Sequence, residues 1–407
     1  MKYLLIIGDG MADNPVPELG GLTPLEAAEK PFMDKLSREG ILGRVCNCPE
    51  GFPPGSDVAI MSIFGCDPKD CYSGRAPLEA AAQGVHLQVG DAAFRCNMVT
   101  LSEGESFADR TIVSHSGCGL SGEESIELIH WLFAHPDFAP LAERARVGVY
   151  PTPSYRHIAV RRQADVTGGV FPPPHDHLGE RVGDNLPHGC ADAEELASLM
   201  EAACAIMESA PVNERRRAAG KAPCNGIWFW AEGTAAALPD FVTRYSKGAV
   251  VSAVPLCHGI ARLVGLDAVI VPTANGEWDT DYEAKVAAGL AVLRENDFVA
   301  LHLEGPDEAT HNGQLKEKVQ AIEWLSSRVI EPLCVGLREM GEDYRVLILS
   351  DHKTLTSTRG HDGDPVPYIL YDSRKSVGSG LSYTEKNAEN GPLMEAGTGL
   401  MAALFEI

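Results

Sequence analysis

Residues 298–311 read FVALHLEGPDEATH, and the way this stretch is built decides the fold class. Phe298–Leu303 is a short apolar run of strand length. It stops at a Gly-Pro turn, and Asp307 and His311 follow. Arg345–Leu349 repeats the arrangement, with Asp351 and His352 directly behind it. Tyr3–Ile7 does so again, ending in Gly8-Asp9-Gly10. Gly226–Trp230, Ala249–Ala253 and Ala268–Val271 are further runs of the same kind. Between them lie amphipathic helical stretches, Tyr282–Glu295 and Gln314–Met340. A capped helix is expected over Thr23–Glu39, interrupted by Pro31. Strands that alternate with helices predict an α/β fold, a mostly parallel sheet sandwiched by helices.

Between about Asp91 and Pro187 the rhythm breaks. Turn clusters such as Pro151-Thr152-Pro153 and Pro172-Pro173-Pro174 crowd this region. Ala93–Leu101 and Tyr155–Arg162 read as antiparallel strands, and Glu123–Ala134 reads as a helix. The expected division is a core domain of residues 1–90 and 188–407, with a smaller α+β domain, residues 91–187, inserted into it. A chain of 407 residues accommodates two such domains.

The formal charge of −23 argues against nucleic acid or an anionic membrane as partner, since both attract Lys/Arg surfaces. No apolar span approaches 20 residues in length. The N-terminal run is interrupted too early, at Asp9, to serve as a signal peptide. Eleven cysteines, with no C-x-x-C, fit reduced and mostly buried thiols in a cytoplasmic protein rather than a disulfide framework or a cysteine zinc site.

In open α/β sheets the ligand crevice lies beyond the carboxyl ends of the strands. Three strands here deliver Asp or His to that edge: Asp9, then Asp307 with His311, then Asp351 with His352. His361 and Asp362 come shortly after, in RGHDGDPVP. One Asp behind a strand is an ordinary helix cap, and Asp9 by itself reads that way. Several such signals meeting at strand ends point to a metal site. Mixed carboxylate and imidazole suits Mn²⁺ or Zn²⁺ better than Mg²⁺ alone. A second signal is PPGSDVAIMS, where Ser56 stands at the start of a helical pattern. Helix N-termini favour an anion. Ser56 or Asp57 there is either a plain N-cap or, beside metals, a nucleophile.

Taken together, GDGMADNPVPELGGLTPLEAA, PPGSDVAIMS, SGRAPLEAA, LEGPDEATHNG and SDHKTLTSTRGHDGDPVP resemble the cofactor-independent phosphoglycerate mutases, in the archaeal-type branch of the alkaline phosphatase superfamily. The likeness runs from residue 1 to about 375. PVNERRRAAGKAPCNGIWFWAEG and VPYILYDSRK look most like a sub-branch proposed to act as homoserine kinases. The resemblance implies two divalent metal ions, Mn²⁺ first, with Zn²⁺, Co²⁺ or Mg²⁺ as alternatives, and no organic cofactor. It implies that Asp9, Ser56, Asp351 and His352 bind one metal, and that Asp307, His311 and His361 bind the other. Ser56 would accept the phosphoryl group during interconversion of 3- and 2-phosphoglycerate. Closure of the inserted domain would keep water away.

An anionic substrate needs cations from an acidic chain. The candidates are Arg75, Arg156, His157, Asp176, Arg216 and His258, each of which reads equally as an ordinary ion pair or solvated side chain. Ser114, Gly119, His258 and Thr310 depart from the family pattern. They keep a rival open: a phosphotransferase acting on homoserine or another small alcohol with the same serine and metals. No P-loop motif is present to hold a nucleotide for it.

Overall fold

The computed structural model describes residues 1–235, 238–375 and 378–406. Two compact units divide the chain: Met1–Tyr72 with Ala237–Ile407, and Ser73–Ala236.

The first unit is built on an eight-stranded sheet. Its strands are β1 (Lys2–Gly8), β2 (Ile41–Val45), β3 (Gly248–Val251), β4 (Asp267–Val269), β5 (Phe298–Leu303), β6 (Tyr344–Leu349), β7 (Val366–Asp372) and β8 (Leu393–Met394). Their order across the sheet is β8-β2-β7-β6-β1-β5-β3-β4. From β6 to β4 every pairing is parallel, and β7 alone runs against its neighbours. Parallel strands in mid-sheet are buried on both faces, which is why β1, β5 and β6 are mostly apolar, His302 being the one polar residue inside β5. Leu4, Ile6, Val299, Leu301, Val346 and Ile348 pack on Val286, Leu293, Leu325, Val329 and Leu333 of the helices on one face. Those helices are Tyr282–Glu295 and the segment from Leu315 to Glu339, whose middle, Leu325–Ile330, is a π-helical turn. Thr23 caps Pro24–Ala27 with a capping box to Glu26, and Pro31 opens a separate helix, Pro31–Glu39. Proline fits a first turn, where its missing N–H costs nothing.

The second unit has an antiparallel sheet. Ala92–Leu101 pairs on one side with Arg156–Arg161 and on the other with Gly226–Thr234. Helices Gly122–Ala134 and Ala191–Met207 bury Leu128, Ile129, Leu132, Leu196, Leu199, Met200 and Ala203 in its core. The division therefore differs from the expected 91–187 insert. Helix Ala76–Ala82 packs on Ala93, Ile158 and Val160, and so joins this unit at its start. Gly226–Trp230 was expected in the parallel sheet. It lies instead in this antiparallel one, because its pairing partner is Ala92–Leu101. All eleven cysteines are free thiols. Among the described residues no helix is long and apolar enough to cross a membrane.

Candidate metal centre

Register places the ligand candidates before any side chain is considered. Gly8 of β1 pairs with Leu303 of β5, and Ile7 pairs with Leu349 of β6. The three central strands therefore end level, and Asp9, Asp307 and Asp351 emerge at one sheet edge. Asp307 is carried by helix α1 (Gly305–His311), which sets His311 one turn further along the same face. His361 comes from the small antiparallel pair Lys353–Leu355 and Gly360–Asp362. Gly10, at φ +59°, lets the chain turn tightly. A Cβ there would collide with the Thr354 hydroxyl and come within 2.8 Å of Asp307 Oδ1.

The seven expected side chains meet. Ser56 Oγ lies 3.3 Å from Asp9 Oδ2 and 3.2 Å from His352 Nε2. His352 Nε2 is 3.5 Å from Asp9 Oδ1 and 3.3 Å from Asp351 Oδ2. Asp307 spans the cluster, with Oδ2 3.1 Å from His311 Nε2 and Oδ1 3.4 Å from His361 Nε2. Its Oδ1 also accepts a 2.5 Å hydrogen bond from Thr354 Oγ1. Two groups with cation-holding geometry result. One is Asp307, His311 and His361; the other is Asp9, Asp307 and His352.

Ring orientation tests whether cations fit. His311 Nδ1 faces the Arg359 carbonyl at 2.8 Å, and His361 Nδ1 faces the Pro54 carbonyl at 3.3 Å. Carbonyls only accept, so both Nδ1 atoms carry the hydrogen and both Nε2 atoms of the neutral rings are acceptors. Those two acceptors stand 2.9 Å apart, an arrangement that calls for a shared cation between them. Asp9 Oδ1 and Asp351 Oδ2 are buried with no hydrogen-bond partner among the described residues. The same need shows in the titration of the carboxylates. Burial, then Asp351, Asp307 and Glu304, raise the Asp9 pKa well above the carboxylate range. Burial also opposes the charge on Asp307, yet hydrogen bonds from His311 and His361 bring it well below that range. The Asp307 hydrogen bond in turn lifts His311 to about 9. The pull of Asp307 on a second proton for His311 reflects the same demand for positive charge, and this donor set fits a pair of divalent cations.

Ser56 begins helix α2 (Ser56–Ile63) without capping it; Gly55 occupies the N-cap position. Thr310, one of the departures, turns its hydroxyl back onto the Pro306 carbonyl at 2.7 Å and stays out of the donor set.

The remaining candidates are dispersed. His258 is in the first unit, buried, with Nε2 2.8 Å from the Ser252 carbonyl. The other five are in the second unit. Arg75 is half-exposed and 3.5 Å from Glu79, which also binds Arg95. Arg95 and Arg156 lie over Trp230, at 4.8 and 5.5 Å from its ring centre, and His175 packs 5.0 Å from the same ring. Asp176 is exposed beside His175. Arg156 Nε is buried and unpartnered among the described residues. Arg216 is different: fully buried, it bonds Glu124 and the carbonyls of Gly117, Cys118 and Ala222. His157 is also internal, held by Ser125 Oγ at 3.0 Å and the Thr152 N–H at 3.1 Å, and burial lowers its pKa to about 4. Ser114 Oγ accepts from the N–H groups of Ser116 and Cys118, and Gly119 sits at φ +73°.

Two functional neighbours escaped the sequence reading. His302 Nε2 is 2.8 Å from Asp9 Oδ2. Asn47 Nδ2 donates to the carbonyls of Ser350 (3.2 Å) and Asp351 (2.8 Å), fixing the end of β6. The signal for His302 was a lone imidazole inside an otherwise apolar strand. Asn47 carried none.

Residues 37–213 match the family model for 2,3-bisphosphoglycerate-independent phosphoglycerate mutase. A protein of that name from Methanosarcina acetivorans is 43% identical over 395 residues, which are 97% of this chain and 96% of the relative. A Geobacter sulfurreducens protein named a probable mutase of the same kind is 40% identical, with both chains fully covered. Among solved structures, a Pyrococcus horikoshii protein superposes with TM-score 0.80 at 30% identity, covering 100% of this chain and 98% of its own. A cofactor-independent phosphoglycerate mutase from Thermoplasma acidophilum shares the fold, with TM-score 0.65 at 24% identity and coverage of 100% and 99%.

Proposed function

The chain belongs to the family of 2,3-bisphosphoglycerate-independent phosphoglycerate mutases, and from this premise we propose that it interconverts 3-phosphoglycerate and 2-phosphoglycerate through a phosphorylated Ser56. The observation that carries the reading is the meeting of Ser56 Oγ with Asp9 and His352, at the start of a helix and inside a donor set for two cations.

Ser56 Oγ forms a bond to phosphorus as the bond from phosphorus to the substrate's 3-oxygen breaks. The proton lost by Oγ on attack ends on the departing 3-oxygen, and the proton of the attacking 2-hydroxyl returns to Oγ on release. The glycerate 2-hydroxyl then takes the phosphoryl group, and the Oγ–P bond breaks. Backbone N–H groups in the first turn of α2 receive the phosphoryl oxygens. Asp9, Ser56, Asp351 and His352 would hold one divalent cation and Asp307, His311 and His361 the other. Mn²⁺ is the first choice, and such ions supply charge neutralisation and an acidified serine. Arg156, with its unpartnered Nε, and half-exposed Arg75 are the cations assigned to the substrate's anionic groups. Arg216 and His157 have their polar atoms engaged within the second unit, which makes them its scaffold. A cytoplasmic location belongs to the same reading, supported by eleven unpaired thiols.

The mutase names of the relatives favour this acceptor over homoserine. The test supplies 3-phosphoglycerate with Mn²⁺ and no 2,3-bisphosphoglycerate, and couples 2-phosphoglycerate to enolase. A parallel tube holds ATP and homoserine. Phosphohomoserine without any 2-phosphoglycerate would overturn the proposal.

A further inference from the structure

His302 belongs to no expected ligand set, yet the sheet aims it at one. It pairs with Ile7 in the β1–β5 register, so it lies on the face that Ile7 and Asp9 share. On its other side Leu301 pairs with Val251 of β3, and Ser252 is the next residue. Three neighbouring strands thus line up Asp9, His302 and Ser252 across one face of the sheet. His302 Nε2 is 2.8 Å from Asp9 Oδ2, and Nδ1 is 3.2 Å from Ser252 Oγ. All three residues are buried, with relative exposures of 1%, 2% and 0%.

The direction of these bonds follows from valence. As a metal ligand Asp9 is a carboxylate and can only accept, so Nε2 carries the hydrogen; Nδ1 then accepts from the Ser252 hydroxyl. Ser252 Oγ itself accepts the Val254 N–H at 2.9 Å. The ring is held from behind at Nδ1 alone, by a hydroxyl that is itself fixed to the Val254 N–H, and presents one donor, Nε2, to one carboxylate oxygen. With Oδ2 engaged, Asp9 Oδ1 is the buried oxygen left over.

We propose that His302 is a positioning residue. It fixes Asp9 so that Oδ1 faces the cation beside Ser56, and through that contact sets the affinity of this one site. The proposal rests on reading Asp9 as a metal ligand. Groups that orient ligands in this way typically govern metal affinity by about 10- to 100-fold.

The test is Mn²⁺ titration of the full-length protein, with free Mn²⁺ read by its EPR signal. Wild type is compared with Asp9→Asn, His302→Leu, His302→Gln and Ser252→Ala. His302→Leu should weaken one of the two sites by about 10- to 100-fold and leave the other unchanged. His302→Gln, which keeps an N–H donor, should recover most of the loss. Ser252→Ala, which releases only the back of the ring, should weaken the same site less. It also serves if the leucine variant fails to fold, as judged by circular dichroism. If Asp9→Asn weakens a site and neither His302→Leu nor Ser252→Ala does, the positioning role is wrong and the metal reading survives. If Asp9→Asn changes neither site, the metal reading has failed. Equal weakening of both sites, or no recovery with glutamine, would mark His302 as a general structural residue and overturn the proposal.

Discussion

Replacing Ser56 with alanine should separate chemistry from architecture. The hydroxyl makes two long contacts, 3.3 Å to Asp9 and 3.2 Å to His352, and the N-cap position is held by Gly55. No cap bond is therefore lost. Two weak hydrogen bonds at the edge of a polar cluster are worth about 1 kcal/mol together. Alanine returns about 0.5 kcal/mol as the better helix former. Asp9 Oδ2 keeps its bond from His302, so the carboxylate is not stranded. The net change should stay within about 1 kcal/mol, a Tm shift of no more than about 4 °C. Turnover should fall by about 10⁴-fold or more, because the atom that bonds phosphorus is gone. The enolase-coupled assay reads the loss. Intact-mass measurement after acid quench should find one phosphoryl group on wild type incubated with 3-phosphoglycerate and none on Ser56→Ala. A variant that melts normally, loads Mn²⁺ and still turns over substrate at a readily measured rate would refute the phosphoserine route.

Metal removal should lower both activity and stability: at cation concentrations near 1,000 times Kd, each occupied site adds about 4 kcal/mol. A chelator should depress Tm and Mn²⁺ should restore it; a melting curve indifferent to both would refute the two-cation assignment. His157 predicts an acid limb unrelated to the metals. Its folded pKa of about 4 lies below the ordinary 6.5, so the unfolded chain binds the extra proton. The stabilisation is complete above pH 6.5 and is lost as pH falls toward 4, about 3 kcal/mol in all. His157→Asn should flatten urea-measured stability across that window; an unchanged slope would dismiss the assignment. Arg216→Met should cost about 3–5 kcal/mol of stability by stranding Glu124, without changing KM in the folded fraction. Arg156→Met should instead hold Tm and cost about 2–4 kcal/mol in kcat/KM; the reverse pattern would exchange their roles.

Asp9, Asp307 and Asp351 were legible because each follows an apolar run of strand length, and strands of a parallel sheet end at a common edge. The helix break at Pro31 was legible for a similar reason, though proline opens the second helix there rather than bending one. Gly226–Trp230 shows where such reading stops. A run of strand-forming residues specifies a strand but not its partner, and this one answers to Ala92–Leu101. The end of the second unit was misplaced with it. Arg216 misled for another reason: NERRR looks like a solvated basic face, yet one of its arginines is buried against Glu124 and three carbonyls. His302 was passed over because a histidine in a buried strand is usually only a satisfied core residue, and nothing local reveals the carboxylate on the next strand.

The placement of β1 between β5 and β6 has a bearing on synthesis. Residues 2–8 leave the ribosome long before the two strands that pair with them, which lie at 298–303 and 344–349. All the strands of the second unit's antiparallel sheet lie between residues 92 and 234. For most of translation the N-terminal segment KYLLIIG is an apolar strand without a sheet to enter. Asp9 can meet Asp351 only after the whole intervening chain, the second unit included, has been made. The growing polypeptide must therefore shield that segment, by chaperone or by transient burial, while the second unit is already complete in sequence.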